Sequence, residues 1–383
     1  MKRLRPCAVL LCAVPLAATV SRAQAEPIFL SRQYTRCTTC HYSPTGGGLL
    51  TPYGRFLTRE DLSTLGRGHA TAAPAGSASD EVGEQSFLWG ALGRRLGALN
   101  LGIDLRPGHL DVRFPGGKDT RNLLMNAELI AAYQVKGWTL YGDFGRQPFA
   151  SGTRVFSWEH WVSHQSASGL GLRAGRFLPA YGVRFADHTA FNRRALGLDT
   201  FDQIYGVEVS HTGERHLMQV AAGPGRADSI IHDDGLRAFT AAGRVQLDLS
   251  PRSALVFSGL FHHSSRLLAR NGSGGIALGF APTAHVSVWT EANAQFQQGS
   301  PGAPAYTVVN ETGFEVFRGV WLKVSPQIRT ALGDTSGGVL RWAFELNVLP
   351  RTHWNVDLSY YRDRGRRNDI VIKTTLLQLH LYL

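Results

Sequence analysis

From Phe87 onward the chain consists of segments of about ten residues in which apolar and polar positions alternate. In the segment 339–348, VLRWAFELNV, the even-numbered positions are all apolar, whereas the odd-numbered positions include Arg341, Glu345 and Asn347. Successive side chains of a β-strand point to opposite faces. Each segment therefore predicts a strand with one apolar face and one polar face.

Sixteen segments show this alternation, and their length distinguishes between two β architectures. Strands of a soluble β-sandwich usually have about five or six residues, whereas a tilted strand needs about 9–11 residues to cross a bilayer. Many of the segments reach ten residues, and many apolar faces include an aromatic residue, as the girdles of outer-membrane barrels require. The segments are 97–106, 123–135, 137–146, 154–163, 168–176, 203–211, 215–222, 236–249, 253–263, 274–281, 284–297, 305–316, 319–330, 339–348, 352–363 and 370–382.

The predicted fold class is therefore all-β: a transmembrane antiparallel β-barrel of about 16 strands over residues 87–383. We expect the last segment to pair with the first, because an open sheet edge would leave backbone groups unsatisfied in lipid. A soluble periplasmic β-protein is the alternative.

One connection, residues 177–202, is too long for a turn between strands. It carries Asp187, His188, Arg193 and Arg194. We expect it either to fold inward and narrow the lumen or to remain outside with its charges solvated.

The first 25 residues have the pattern of a secretory signal peptide. Lys2, Arg3 and Arg5 precede an apolar run over 7–20, and an Ala-Gln-Ala cleavage site ends at Ala25. Removal of residues 1–25 would leave 36 Lys and Arg against 29 Asp and Glu, a net charge of +7 instead of +11. This modest excess contains no basic run, so we predict no nucleic-acid partner.

Between the signal peptide and the barrel, the sequence contains one chemical motif. Residues 26–62 include Cys37-Thr-Thr-Cys40-His41, and residues 63–86 are a linker rich in Ala, Gly and Ser. In a Cys-x-x-Cys-His motif both thiols can bond to the vinyl groups of one haem, and the histidine ligates its iron. We therefore predict one covalent haem c at Cys37, Cys40 and His41. A disulfide between the two cysteines is the alternative, but it leaves the histidine unexplained.

The motif does not identify the sixth ligand of the haem iron. No Met occurs between residues 26 and 124. His69 in the linker and His188 in the long connection are the candidates, and a water-bound or vacant position is the alternative.

The stretch 26–57 resembles the N-terminal signature of the fused cytochrome–porin iron oxidases of iron-oxidising bacteria. It departs from that signature at Gly46–Gly48, which look inserted, and at Tyr53, where Phe is usual. These departures leave open both the substrate and membership of a sister group. The matching residues are Pro27, Phe29, Arg32, Gln33, Cys37, Cys40, His41, Pro44, Leu50, Thr51, Pro52, Tyr53, Gly54 and Arg55.

The resemblance implies an outer-membrane cytochrome–porin that carries single electrons across the membrane. The extracellular donor would be Fe(II), and a periplasmic cytochrome would accept the electrons. Because a bilayer insulates a haem, we also expect the haem segment to lie inside the barrel as a plug. From their proximity to the motif in the sequence, Arg36 or Arg55 would pair with the haem propionates. The alternatives are a diffusion porin with a haem-bearing plug or sensor, and a soluble periplasmic electron carrier.

Overall fold

The computed structural model describes residues 27–65, 98–149, 152–187, 189–194, 196, 202–224, 238–264, 269–297, 304–330 and 337–383. The predicted signal peptide, most of the predicted linker, His69 and His188 lie outside these ranges. None of the helices in the described ranges has the length and apolar character needed to cross a bilayer.

The strands form one closed antiparallel sheet, because β1 pairs with β2 on one side and with β17 on the other. The strand segments are β1 Leu99–Phe114, β2 Gly117–Val135, β3 Trp138–Phe149, β4 Gly152–Phe156, β5 His160–Gln165, β6 Leu170–Phe177, β7 Ile204–Thr212, β8 His216–Pro224, β9 Ala238–Ser250, β10 Ser253–Ser264, β11 Ala269–Thr283, β12 Val286–Gln297, β13 Ala305–Phe317, β14 Val320–Arg329, β15 Val339–Val348, β16 Trp354–Gly365 and β17 Val371–Tyr382.

Two of these segments, β4 and β5, belong to one membrane-crossing strand, because both pair with β3. The strand is interrupted at residues 157–159, where the backbone N–H groups of Trp158 and Glu159 donate to the Asp143 carboxylate instead of to the sheet ladder. The barrel thus has sixteen crossing strands, which confirms the predicted architecture and strand number.

The first hairpin is the largest departure from the predicted strand bounds. β1 and β2 pair as far as Phe114 and Gly117, whereas the predicted segments end at 106 and begin again at 123. In the added part of β1 the apolar residues Leu110 and Val112 lie at even positions, whereas those of the predicted segment, such as Ile103, lie at odd positions. This part also carries exposed ion pairs such as Arg113–Asp111. Strand pairing continues there although the parity of the apolar positions changes, so the apolar pattern does not reveal it.

The two faces of the strands separate as the alternation predicts. Trp342 and Phe344 on β15 are 43% and 45% exposed on the outer surface of the barrel, whereas Glu291 on β12 and Lys323 on β14 are 1% and 3% exposed on the inner side. The outer surface thus matches lipid, and the lumen carries the polar groups.

The two ends of the barrel differ in the length of their connections. At one end, here called the short-turn end, β2 and β3 are joined by residues 136–137, β9 and β10 by 251–252, and β15 and β16 by 349–353. β1 begins and β17 finishes at this end. The opposite end, here called the long-loop end, carries the connection between β6 and β7.

The connection between β6 and β7 folds inward, and its part over residues 178–196 is here called the inward loop. Its Val183 N–H donates to Glu291 Oε2 at 2.7 Å, and Phe191, in the short helix α2 Phe191–Arg194, donates its N–H to Gln327 Oε1 at 3.0 Å. Because Glu291 and Gln327 face the lumen, the loop narrows it. This agrees with the first of the two expectations for this connection.

Residues 27–65, here called the plug, lie inside the barrel. They contain 3₁₀ turns at Pro27–Arg32 and Cys37–Thr39, the helix α1 Pro52–Leu57 and a π turn at Thr58–Leu62. The plug contacts the wall at points around the whole circumference, which only a segment inside the lumen can do. These contacts are Arg55 with Leu101 on β1, Leu49 with Tyr141 on β3, Ser43 with Glu159 before β5, Arg36 with Asp248 on β9, Arg32 with Glu315 on β13, and Thr64 with Leu349 after β15.

Candidate functional site

Two ion pairs anchor the plug on the N-terminal side of the Cys-x-x-Cys-His motif. Arg32 Nη2 lies 2.6 Å from Glu315 Oε2, and Arg36 Nη2 lies 2.8 Å from Asp248 Oδ2. The side chains of Arg36 and Asp248 are 8% and 13% exposed, so solvent screens this pair little. The anchor at Arg36 fixes the residue that directly precedes Cys37.

The motif forms one tight turn of chain. The backbone N–H groups of Cys40 and His41 both donate to the Cys37 carbonyl, at 3.2 and 3.0 Å. Cys37 and Cys40 do not form a disulfide. Cys40 is buried against Leu57 and Leu349, whereas Cys37 faces a cavity, so one thiol is enclosed and the other is accessible from the lumen.

The Leu-Thr-Pro-Tyr-Gly-Arg stretch clamps this turn. Thr51 Oγ1 donates to the Thr39 carbonyl at 2.7 Å, and the Thr51 N–H donates to the Cys40 carbonyl at 2.8 Å. The same Thr51 hydroxyl caps α1 by accepting from the Gly54 N–H at 3.1 Å. A side-chain carbon on Gly54 would lie 2.9 Å from Cys40 Cα, so this position has no room for any residue but glycine. The residues that carry the family resemblance therefore have a structural role in holding the motif.

The three consecutive glycines form the loop between His41 and Leu50, which pair as an isolated β-bridge. Gly46, Gly47 and Gly48 have φ values of +79°, +75° and +63°, in the left-handed region that glycine adopts without steric cost. A side-chain carbon on Gly46 would also lie 3.0 Å from Cys37 Sγ. The apparent insertion thus gives the backbone a path that leaves the thiol clear.

His41 meets the requirement for an axial ligand. Its Nδ1 atom is shielded from solvent and has no hydrogen-bond partner in the described part of the chain. Desolvation, reinforced by the Arg184 charge, lowers the pKa of His41 from 6.5 to about 4. The imidazole is therefore neutral at pH 7, the form that binds metals. Two thiols that are not joined in a disulfide and an adjacent neutral imidazole fit the attachment of one haem c.

A cavity lies between the plug and the inward loop. Its lining includes Cys37, Tyr181, Arg184, Arg193 and Arg244. The thiol of the motif therefore opens into a space bounded by guanidinium groups of the loop and the wall.

On the β3–β5 side of the lumen the plug touches an aromatic and acidic cluster. Tyr141 and Trp161 stack with ring centroids 4.8 Å apart and planes 4° apart. Glu159 Oε2 accepts from Trp161 Nε1 at 3.2 Å and from the Ser43 hydroxyl at 3.4 Å. Sequence analysis did not single out these residues. The available signal was that Tyr141 and Trp161 occupy lumen-facing positions, where a large aromatic side chain needs a partner to cover it.

Several predictions made from the sequence differ from the structure or lie outside its described residues. Arg36 pairs with Asp248, and Arg55 donates to the Leu101 carbonyl at 2.8 Å. Of the two arginines that were predicted to receive propionates, Arg36 is thus neutralised by a carboxylate, whereas Arg55 meets a neutral carbonyl. His69 and His188, the candidates for the sixth ligand, lie outside the described residues. Within the described ranges, no group of three or more His, Cys, Asp or Glu side chains could hold a metal ion.

Comparison with known proteins identifies the fold. No family model and no curated protein sequence matches the chain. OmpT of Vibrio cholerae matches with a TM-score of 0.56 and 11% identity, covering 76% of this chain and 99% of that one. The anion-selective porin of Comamonas acidovorans matches with a TM-score of 0.56 and 10% identity over 74% and 99%.

A third solved structure, OmpF of Salmonella typhi in complex with daunomycin, matches with a TM-score of 0.57 and 8% identity, covering 74% of this chain and 97% of that one. At these identities the likeness establishes the fold alone. The chain has a porin-type membrane-spanning barrel.

Proposed function

We propose that this protein transfers single electrons across the bacterial outer membrane through one haem c held in the barrel lumen. Cys37 and Cys40 would attach the haem, and His41 would ligate its iron. The observation that supports this proposal is the position of the Cys-x-x-Cys-His turn, which the plug places inside the barrel. A hydrocarbon bilayer insulates against electron flow, and a redox centre in the lumen would interrupt that insulation.

When bound, haem c supplies a one-electron couple at its iron. The chain contributes the positions of the donor atoms and the polarity around them. The packing of Cys40 against Leu57 and Leu349 keeps water from one thioether position. Thr51 fixes the turn that presents His41, and the Arg184 charge beside the site favours the reduced, less positive state.

The asymmetry of the barrel supports an orientation. In outer-membrane barrels short turns face the periplasm and long loops face outward, so the plug would lie near the periplasmic mouth. Residues 1–25 would direct export. From the family resemblance, an extracellular Fe(II) would lose one electron and become Fe(III), and a periplasmic cytochrome would take up that electron at the short-turn end.

The test compares wild type with Cys40→Ala in outer-membrane fractions. Haem staining, the Soret absorbance after addition of Fe(II), and protein amount would be measured together. Thr38→Ala is the matched control, because it changes an exposed residue between the two cysteines and removes no donor atom. We expect covalent haem and Fe(II)-dependent reduction in wild type and Thr38→Ala but not in Cys40→Ala. Wild-type protein without covalent haem would contradict the proposal, and haem that Fe(II) does not reduce would exclude the iron donor.

A diffusion porin is the second candidate, favoured by the porin fold of the barrel. In this case the plug would act as a stopper or sensor, and solutes would pass beside it or after its displacement. Planar-bilayer conductance of the full chain separates the candidates. A steady porin-like conductance would favour diffusion, whereas a closed full chain that conducts only after deletion of 27–65 would show that the plug blocks the lumen.

A further inference from the structure

The cavity beside Cys37 contains positive charge that the proposed function has not yet used. Arg184 and Arg193 reach it from the inward loop, and Arg244 reaches it from β9. Among the described residues, the cavity lining includes no Asp or Glu. A partly buried guanidinium is stable only when its donors are satisfied, and a charged acceptor satisfies them best.

Arg244 is the clearest example of this positive charge without a carboxylate partner. Its Nε donates to the Gly182 carbonyl at 2.8 Å, its Nη1 to Gln219 Oε1 at 3.4 Å, and its Nη2 to Gln246 Oε1 at 2.5 Å. All three acceptors are neutral. The carboxylate of Glu291 contacts the same loop, but its oxygens accept from the Val183 N–H and from Asn293 Nδ2. The side chain of Arg244 is thus held in place while its charge is not neutralised by a direct partner.

Arg184 is held in a similar way on the other side of the cavity. Its Nη1 donates to the carbonyl oxygens of Thr45 and Gly46, and its guanidinium lies against Gly47. It therefore links the inward loop to the glycine loop that passes Cys37 Sγ. Other lumen arginines differ, since Arg173 lies 2.8 Å from Glu208 and Arg341 lies 2.7 Å from Asp363.

We propose that Arg184 and Arg244, with Arg193 beside them, form a binding site for anionic carboxylate or phosphate-type groups in the cavity next to Cys37. Resting on the proposed function, the first source of such groups is the pair of propionates of a haem attached at Cys37 and Cys40. A free small anion in the lumen is the second source. Arg36, whose guanidinium pairs with Asp248, is not part of this site.

The test uses the full chain with Arg184→Gln, Arg244→Gln and the double variant. Arg113→Gln is the control, because it removes the same charge from a side chain that is 70% exposed at the long-loop end. Arg244→Lys restores the charge without the fork of donors. Heat-modifiable gel mobility verifies that each variant forms a barrel, so that a potential is compared only among folded proteins.

The first readout is the reduction potential, measured by spectroelectrochemistry together with the redox-difference infrared bands of the carboxylates. If the propionates bind here, Arg184→Gln and Arg244→Gln each lower the potential, because loss of a nearby positive charge favours the oxidised state. The double variant lowers it further, the carboxylate bands shift, and Arg244→Lys and Arg113→Gln stay close to wild type.

The second readout addresses a free anion in a haem-free chain with Cys37→Ala and Cys40→Ala. Its thermal midpoint would be measured with and without inorganic phosphate at constant ionic strength. A phosphate-dependent rise that Arg244→Gln abolishes identifies a free anion as the source. The proposal is overturned if the potentials of the Gln variants equal that of Arg113→Gln and phosphate has no effect. If wild type lacks haem, the proposed function fails, and the phosphate measurement alone decides on the site.

Discussion

Replacing Gly54 by alanine tests whether packing against the Cys-x-x-Cys-His turn outweighs local helix propensity. Gly54 lies inside α1, where alanine is favoured over glycine by about 1 kcal/mol. The added methyl carbon would lie 2.9 and 3.0 Å from Cys40 Cα and C, and still nearer to the Cys40 carbonyl oxygen. These are backbone atoms that cannot rotate away. Overpacking costs about 1–3 kcal/mol, and contacts with three backbone atoms place this site at the upper end.

The net effect is therefore a loss of about 2 kcal/mol in the free energy that keeps the plug closed, or about a 30-fold increase in the open fraction. The haem-free chain, refolded in detergent, provides the assay. Cys40 is 8% exposed, so a maleimide reaches it only when the plug opens, and peptide mass spectrometry reports its labelling rate along a urea series.

We expect Cys40 in Gly54→Ala to react about 30-fold faster than in wild type at the same urea concentration. Gly274→Ala is the control, since nothing lies within 4 Å of the methyl group added there. A labelling rate equal to or below that of wild type would refute the argument, because helix propensity would then dominate and Gly54 would not be packed on Cys40.

Three further predictions concern charges in the lumen and at its short-turn end. Glu208→Ala breaks the ion pair with Arg173, whose side chains are 1% and 2% exposed, and should lower the free energy of unfolding by about 3–5 kcal/mol. Asp119→Ala, in an exposed ion pair, should lower it by less than about 1 kcal/mol. Thermal unfolding of the two variants measures the difference. Asp248→Asn removes the ionic anchor before Cys37 and should raise bilayer conductance, whereas an unchanged closed state would show that this anchor is dispensable. Burial, with the Arg55 charge, lowers the pKa of His353 from 6.5 to about 4. Between pH 6.5 and pH 4 the unfolded chain therefore binds a proton at His353 that the folded chain does not bind. The free energy of unfolding is highest above pH 6.5 and falls toward pH 4 by about 1.4 kcal/mol per pH unit. His353→Gln should lose less thermal stability than wild type between pH 7 and pH 5.

The barrel could be predicted from the sequence because the two faces of each strand lie in different surroundings. Lipid outside and polar groups inside impose a period of two, and in the segment 339–348 every even position is apolar and both charged residues stand at odd positions. The strand number follows once the turns are recognised. The period of two in the apolar positions is interrupted where a strand leaves the lipid, as at Asp111 and Arg113, where the first hairpin extends beyond the apolar band.

The Cys-x-x-Cys-His motif could also be recognised in the sequence, because haem attachment would require a fixed spacing of Cys37, Cys40 and His41; the haem itself stays a prediction. The surroundings of the motif could not be predicted. Tyr141, Arg184 and Arg244 are single residues that come from distant parts of the chain. Their positions around the plug depend on how the plug and the inward loop fit into the lumen, and this fit has no sequence period.

Diffusion and electron transfer make opposite demands on a barrel lumen. A diffusion pore needs a continuous water-filled path, whereas an enclosed redox centre needs its surroundings kept rigid and dry. Leu30 of the plug and Val183, Phe185 and Phe191 of the inward loop belong to one buried apolar cluster, with lumen-facing residues of the wall such as Val309. Such a cluster offers water no hydrogen-bond partners, so water does not enter it. Opening the cluster would expose apolar surface, which costs about 25 cal/mol per Å². The plug and the loop therefore stabilise each other across the lumen.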